Sequence, residues 1–165
     1  MTREELLKEY VKCVGDTPYA LRTYLETYDN TKSRYVPFVL FPEQETMIGD
    51  YEEYNDNIVL KYRQAGVSTA TAAWISKKLQ FASKDKPEKH YKLTNGSEVK
   101  AVATSVDALR GYTPTILIFD EAAYIESGED LWAACMASLA TGGKVIVIST
   151  PNGFDHIYYE VFDNS

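Results

Sequence analysis

The stretch Asn57-Ile58-Val59-Leu60-Lys61-Tyr62-Arg63-Gln64-Ala65-Gly66-Val67-Ser68-Thr69 decides the fold of this 165-residue chain. Its first six residues form a short β-prone run. The following segment, residues 69–82, has apolar side chains at helical spacing, with Ala72, Ile75 and Leu79 on one face. The stretch therefore predicts a strand, a tight loop and a helix. In such a unit the backbone N–H groups of the loop and the positive end of the helix face any anion bound above them.

The loop between this strand and helix has part of the pattern of a phosphate-binding P-loop. Gly66 is present, and Ser68 keeps the hydroxyl that P-loops use on magnesium. Lys61 stands where the first glycine is usual and Val67 where the lysine is usual, so a plain strand-turn-helix is the alternative. Arg63 can supply the missing positive charge, because a guanidinium forks onto phosphate oxygens.

An acidic pair, Asp120-Glu121, follows the apolar run Thr115–Phe119. Carboxylates at the end of a buried strand are unfavourable unless they meet a metal or a proton. Asp120 is therefore predicted to hold magnesium, and Glu121 to orient and deprotonate an attacking water. The alternative is a pair of solvent-facing acids that cap a helix just beyond the strand.

A second apolar run, Lys144–Ile148, ends in Ser149-Thr150-Pro151-Asn152-Gly153. Continuous apolar runs are typical of strands buried in a parallel sheet, and Leu131–Leu139 is predicted to be the crossover helix, closed by Gly142-Gly143. Small polar groups at a strand's carboxyl end lie where an open α/β sheet keeps its ligand site. Alone, the Pro-Asn-Gly segment is an ordinary turn sequence. The fold class predicted is α/β, with a mostly parallel central sheet flanked by helices.

The remaining segments predict an N-terminal helical extension over residues 1–34 and one β-hairpin. Thr2 with Glu5 forms a capping box, and Thr17-Pro18 opens a second helix whose apolar spacing continues to Tyr28. A polar connection over 30–34 leads to an extended segment and a helix over 42–54. The hairpin pairs residues 90–93 with 98–103 around Asn95-Gly96. Residues 35–165 form the predicted core.

Composition limits the class of protein further. The net charge of −7 argues against a domain that grips nucleic acid tightly by itself, since such binding requires a basic surface. Several lysines cluster between residues 77 and 92, where a solvated surface and a DNA-binding patch are the two interpretations; they are Lys77, Lys78, Lys84, Lys86, Lys89 and Lys92. Neither the cysteines, Cys13 and Cys135, nor the histidines have metal-ligand spacing, so we expect no zinc site. No apolar run is long enough for a membrane span, and a soluble intracellular protein is expected.

Four segments in this order resemble the large subunit of tailed-phage terminases, in particular those of T4-like phages. They are Arg63-Gln64-Ala65-Gly66-Val67-Ser68-Thr69, Val106-Asp107-Ala108-Leu109-Arg110-Gly111, Ile118-Phe119-Asp120-Glu121-Ala122-Ala123 and Ser149-Thr150-Pro151-Asn152-Gly153. The resemblance implies a P-loop NTPase of the additional-strand, catalytic-glutamate type. In that family the first segment is a deviant Walker A loop, the third is the Walker B strand with its catalytic glutamate, and the fourth couples hydrolysis to movement.

The resemblance assigns roles to individual residues. Arg63, with the rest of the segment 63–69, would hold the triphosphate, and Ser68 and Asp120 would hold Mg²⁺. Glu121 would activate water. Gln44 is similar to the glutamine that reads adenine, with an exposed residue of a first helical turn as the alternative. Arg110 would stabilise transition-state charge in its own subunit or a neighbour's, or would brace the acidic loop.

The family's working motor implies ATP and Mg²⁺ as cofactors. Its partners would be double-stranded DNA, a portal protein, a small terminase subunit and further copies in a ring on the procapsid, within the host cytoplasm and without a membrane. Two departures from the family matter: Val67 stands at the Walker lysine, so phosphate neutralisation would fall to Arg63, and only Asp85–Lys89 separates the first helix from the hairpin, where the family usually has a further strand and helix. A deletion or a segment left out of the sequence would each explain the short link. The acidic triad of the family's nuclease domain is also absent from the sequence, so nuclease activity is not expected. The rival interpretations are a superfamily 2 helicase core, because Asp120-Glu121-Ala122 is similar to its acidic box, and a non-hydrolysing structural subunit.

Overall fold

The structure is a computed structural model that describes residues 2–80, 90–92, 96–102, 104–105, 107, 109, 111–126, 128–140, 142–153, 158 and 163. Its helices and strands are α1 (Arg3–Gly15), α2 (Thr17–Tyr24), β1 (Glu26–Asp29), β2 (Arg34–Pro37), α3 (Pro42–Glu53), β3 (Asp56–Leu60), α4 (Val67–Gln80), β4 (His90–Lys92), β5 (Glu98–Lys100), β6 (Ile116–Asp120), a 3₁₀ turn (Ala122–Tyr124), α5 (Gly128–Leu139) and β7 (Lys144–Ser149). Of the helices so described, none is both long and apolar enough to cross a bilayer.

The chain forms two units. The first unit comprises residues 1–48 and 69–101, and the second unit comprises residues 49–68 and 102–165. The boundary expected at residue 34, between an extension and a core, stays a prediction.

A parallel three-stranded sheet forms the second unit, as the apolar runs predict. Its strand order is β3-β7-β6, so the strand that comes last in the chain lies between the other two. The central strand β7 is buried from Val145 to Ser149, whereas the edge strand β6 is only half-buried. The predicted crossover helix is α5, whose Leu139, Trp132 and Met136 pack with strand residues in one apolar core. The α/β fold class with parallel strands is therefore confirmed.

The connection from α5 to β7 depends on a close approach at Gly143. A Cβ added there would lie 2.7 Å from the carbonyl oxygen of Pro114 and would overlap the side chain of Leu139. The adjoining Gly142 has φ +100° and donates its N–H to the Leu139 carbonyl at 2.9 Å. Glycine at both positions therefore ends the helix as the sequence predicts.

Replacing Gly143 by alanine is expected to lower the free energy of unfolding by about 1–3 kcal/mol, because the backbone at Pro114 cannot move away cheaply. Urea denaturation measures the change. Gly49→Ala is the matched control, since a Cβ there meets nothing within 4 Å and alanine favours the interior of α3 by about 0.5–1 kcal/mol. Equal stability of the Gly143→Ala and wild-type proteins would contradict this packing.

The first unit opens with the two predicted helices, but the second is capped differently. The Thr2–Glu5 capping box is present in full. Asp16, and not Thr17, caps α2, because its side chain accepts the Tyr19 N–H at 2.8 Å. The Thr17 hydroxyl is instead buried and accepts a hydrogen bond from Lys77 Nζ at 3.0 Å.

The predicted continuation of the second helix to Tyr28 is wrong. The helix ends at Tyr24, and β1 pairs with β2 in an antiparallel hairpin. The cause is the turn after Asp29, whose carboxylate accepts hydrogen bonds from the N–H groups of Thr31 and Lys32. Tyr28 then packs edge-on against Tyr35 across the strands, at 5.3 Å between ring centroids. The polar connection expected over 30–34 is the turn of this hairpin and the start of β2.

The buried face of α4 differs from the predicted one. Of the predicted face, Ala72 is exposed, and Ile75 and Leu79 are half-buried. Trp74 is 1% exposed and lies on a buried face with Ala70, Ala73 and Lys77. Lys77 is 5% exposed and also donates to the Val14 carbonyl at 2.9 Å, so it belongs to the interior of the first unit and not to a basic surface. The lysines at 84, 86 and 89 and the link 85–89 lie outside the described residues, as does the side chain of Lys92.

The predicted hairpin around Asn95-Gly96 is present as the antiparallel pair β4-β5, with His90 opposite Lys100. Residues 93–95 of its turn lie outside the described residues. Both cysteines, Cys13 and Cys135, are buried thiols without a disulfide.

Candidate functional site

The carboxyl ends of the three parallel strands meet at one edge of the sheet. Leu60 of β3 pairs with Ser149 of β7, and Asp120 of β6 pairs with Ile148. The residues that follow each strand therefore emerge side by side. We name the group Lys61, Ser68, Asp120, Glu121 and Thr150 the edge site; it lies within the second unit.

Lys61 is at the centre of the edge site. Its Nζ lies 2.9 Å from Ser68 Oγ, 2.9 Å from Asp120 Oδ1 and 3.0 Å from Glu121 Oε1. The lysine side chain is 8% exposed, whereas those of the two acids are 46% and 49% exposed. The Lys61 backbone is fixed as well, because its N–H donates to the Ser149 carbonyl at 2.9 Å. One ammonium therefore joins the loop, the helix start and the acidic pair.

The charges of this cluster stabilise one another. Burial lowers the pKa of Lys61, but the hydrogen bonds to Asp120 and Glu121 outweigh it, and the net pKa is raised. Burial raises the pKa of Asp120, but the Lys61 ammonium and the Ser68 hydroxyl outweigh it and hold that pKa below its usual range. Both groups are therefore charged at neutral pH.

The acidic pair meets a cation of the chain itself. The expected partner of these acids is a metal or a proton, and the Lys61 ammonium provides the positive charge in this structure. Asp120 Oδ1 also accepts the Glu121 N–H at 3.0 Å. Of the alternative interpretation, the capping bond is not formed, because Glu121 precedes the 3₁₀ turn without a side-chain hydrogen bond to it. Both acids are nevertheless exposed, as that interpretation expects.

The loop between β3 and α4 contains two residues with left-handed backbone. Gly66 has φ +70°, which glycine adopts freely, and Gln64 has φ +65°, which costs a non-glycine residue about 1 kcal/mol or more. The Ala65 N–H donates to the Tyr62 carbonyl at 3.3 Å and closes a turn. Arg63 is exposed, and within the part of the chain that the structure describes it makes no hydrogen bond or ion pair. Its guanidinium is thus available to a ligand.

Helix α4 begins at Val67, so the N-terminus of a 14-residue helix adjoins the loop. Val67 is buried, Ser68 is half-buried and Thr69 is exposed. The aliphatic side chain at position 67 packs into the interior and carries no charge to the loop. Of the two residues predicted to hold a metal, Ser68 and Asp120, each contacts the same Lys61 Nζ.

The end of β7 and the residues after it form hydrogen bonds to the 3₁₀ turn that follows Glu121. Ser149 Oγ accepts the Ala123 N–H at 3.0 Å, and Asn152 Nδ2 donates to the Ala123 carbonyl at 2.9 Å. The Thr150 hydroxyl lies 3.4 Å from Glu121 Oε2 and 3.3 Å from the Tyr124 hydroxyl. Pro151 and Gly153 are exposed. Three of the four residues predicted to couple hydrolysis to movement therefore contact the acidic turn directly.

Two other predicted site residues, Gln44 and Arg110, are not among the residues of the edge site. Gln44 lies in the first turn of α3, in the first unit, where it is 7% exposed and its Oε1 accepts the Phe41 N–H at 3.0 Å. It is therefore a buried residue that caps its helix, and adenine recognition stays a prediction. Arg110 lies outside the described residues, and so does most of the segment 106–110.

Lys61, a member of the edge site, and Tyr124, which contacts its Thr150, are not predicted from the sequence. Lys61 was considered only as a missing glycine. The signal that identifies it is its position one residue beyond a strand, opposite an acidic pair that ends another strand of the same parallel sheet, because the carboxyl ends of parallel strands meet at one edge. No comparable pattern marks Tyr124.

Fold and edge site together define an α/β protein whose polar and charged groups converge at the carboxyl edge of a parallel sheet. This is where ligand sites occur in open α/β folds. No model of a known protein family matches the chain.

The chain is similar to the Mu-like prophage FluMu protein gp28 of Haemophilus influenzae. The two are 34% identical over 71 residues, which are 43% of this chain and 14% of gp28. The chain thus matches about a seventh of that relative's length. The similarity supports a phage origin.

Proposed function

We propose that this chain is the ATP-hydrolysing part of a phage DNA-packaging terminase, which uses ATP and Mg²⁺ to drive double-stranded DNA into a procapsid. One observation carries the proposal. The loop after β3 and the acidic pair after β6 share a single site, in which Lys61 Nζ lies within 3.0 Å of both Asp120 and Glu121. A triphosphate site of the P-loop kind needs this convergence.

The strand order supports the proposed class. Strand β7 lies between β3, which leads into the loop, and β6, which ends in the acids. In the proposed class, that intervening strand would be the additional strand for which the class is named. It carries Ser149 and leads into Thr150 and Asn152, so the segment proposed for coupling starts between the two halves of the site.

The donor set fits magnesium. Ser68 and Asp120 offer oxygen atoms on one side of the site, and a cation, the Lys61 ammonium, already contacts both. Mg²⁺ prefers oxygen ligands and is usually held by one or two carboxylates together with substrate phosphates. Among the described residues there is no group of three or more His, Cys, Asp and Glu side chains that would hold a metal alone. Bound there, Mg²⁺ would neutralise charge on the phosphates.

The phosphates would be bound by the loop. The exposed Arg63 and the N-terminus of α4 both provide positive charge beside Gly66, and the positive φ of Gly66 turns the backbone into the helix. Further backbone or side-chain contacts would come from the rest of this segment, which is Gln64, Ala65, Val67 and Thr69.

Glu121 is the proposed base. Its carboxylate would accept a proton from a water molecule, whose oxygen forms a bond to the γ-phosphorus. The bond from that phosphorus to the β–γ bridging oxygen breaks, and its electron pair leaves with ADP. Arg110, from the same or a neighbouring subunit, would stabilise the charge that develops.

The assembled motor is the setting for this reaction. The proposed partners are a portal protein, a small terminase subunit, further copies in a ring, and DNA. Because the chain carries a net charge of −7, its grip on DNA would be local or supplied by other parts of the assembly.

The test is release of phosphate from ATP by the purified wild-type chain. We expect release above the spontaneous rate that requires Mg²⁺ and stops when EDTA is added. ATP binding without any release, at every protein concentration, would favour the non-hydrolysing structural subunit and contradict the proposal.

A further inference from the structure

The Lys61 ammonium occupies the position at which the proposed magnesium donors converge. It contacts Ser68 Oγ and Asp120 Oδ1, the two atoms that belong to the proposed metal ligands, and also Glu121 Oε1. Its side chain is 8% exposed, whereas the two carboxylates that it contacts are about half exposed and open to a cation from solvent. Lys61 itself lies on the loop that would bind the phosphates.

The acceptor capacity of Asp120 Oδ1 is already used. Asp120 Oδ1 accepts both from Lys61 Nζ at 2.9 Å and from the Glu121 N–H at 3.0 Å, which fills the two lone-pair directions of a carboxylate oxygen. The Ser68 hydroxyl accepts from Lys61 Nζ at 2.9 Å. A divalent cation bound to the same atoms would lie close to the ammonium, and the two positive charges would repel. The two cations therefore exclude each other at this site.

We propose that Lys61 is an exchangeable counter-cation: it neutralises Asp120 and Glu121 until a divalent cation takes the oxygens of Ser68 and Asp120 and displaces the ammonium. The identity of that cation as the magnesium of Mg-ATP rests on the proposed function. The exchange itself depends only on the four side chains.

The exchange has a consequence for Glu121. While Lys61 is in place, Glu121 Oε1 is bound to the ammonium and Oε2 lies 3.4 Å from the Thr150 hydroxyl. Departure of Lys61 frees Oε1 to accept a proton from water. The base is thus released when the metal and its nucleotide arrive, and a site without them is held inactive.

The experiment measures the binding of Mn²⁺ alone, without nucleotide, by the enhancement of water-proton relaxation. Lys61→Met removes the ammonium at similar volume, and we expect the Kd for Mn²⁺ to fall about tenfold relative to wild type. Lys8→Met is the matched control, because it removes one lysine charge at an exposed surface pair with Glu4. It should leave the Kd unchanged. Adding Asp120→Asn to Lys61→Met should abolish the gain.

An unchanged or weaker Mn²⁺ affinity of folded Lys61→Met would overturn the proposal. Lys61→Gln is the second variant, whose amide still donates hydrogen bonds without a charge, and it should show the same gain. Circular dichroism reports folding of both. If neither variant is folded with or without Mn²⁺, Lys61 is a fixed structural partner and the exchange does not occur.

The outcome is separate from that of the proposed function, because ATP takes no part in the measurement. If Lys61→Met binds Mn²⁺ more tightly but the chain never binds ATP, the proposed ATPase function is wrong and the proposed exchange is supported. If the wild-type chain hydrolyses ATP but Lys61→Met shows no gain in Mn²⁺ affinity, the ATPase function is supported and the exchange is wrong.

Discussion

Replacing Glu121 by glutamine is expected to lower the rate of ATP hydrolysis by about two to four decades, the usual contribution of a general base. The affinity for ATP should change by less than about threefold, since glutamine has the same shape and the phosphates would be bound by the loop. An amide cannot accept the proton of the attacking water, and this is the physical reason for the loss. Phosphate release and ATP titration of the same preparation measure the two effects.

Glu126→Gln is the control for this prediction. Glu126 is exposed and lies five residues further along the chain, outside the edge site. Its replacement by glutamine removes the same negative charge. It should hydrolyse ATP at the wild-type rate. If Glu121→Gln retained that rate as well, the base would have to be another residue, and the acidic pair would be left with a structural role only.

Replacing Arg63 by alanine is expected to abolish measurable ATP binding, a loss of about two decades or more in affinity. A guanidinium that forks onto phosphate oxygens forms two charge-assisted hydrogen bonds, each of about 1.5–3 kcal/mol. Because Arg63 is exposed and makes no hydrogen bond or ion pair with the residues described, its removal should leave the fold intact. Equilibrium titration with a fluorescent ATP analogue gives the affinity.

Arg22→Ala, on the exposed side of α2, is the matched control and should bind as wild type does. If Arg63→Ala bound the ATP analogue with wild-type affinity, Arg63 would not be a phosphate-binding residue. The phosphate-binding charge would then fall to Lys61, which the structure places beside the acids.

The sequence predicts the frame of the second unit well because its signals are local and strong. Buried parallel strands appear as uninterrupted apolar runs, and Gly142-Gly143 marks the end of α5 directly. Parallel strands align their carboxyl ends, and the observed register brings Leu60 and Asp120 to one edge of the sheet. The convergence of loop and acids therefore follows from sequence once the strands are correct.

The errors occur where a distant contact decides the outcome. Helical spacing continues to Tyr28, but a side-chain turn at Asp29 favours the hairpin. Thr17 is a good helix cap by type, yet its hydroxyl is needed by Lys77, 60 residues away. Lys61 was missed for the same reason, since its partner Asp120 is 59 residues further along the chain. Helix propensity and the spacing of apolar residues do not predict contacts between side chains so far apart in the sequence.

The measurement that bears most directly on the nucleotide site is titration of the wild-type chain with a fluorescent ATP analogue, with and without Mg²⁺. We predict saturable binding that Mg²⁺ strengthens and that Asp120→Asn makes insensitive to Mg²⁺. Absence of saturable binding up to millimolar analogue, by a folded chain, would contradict the account.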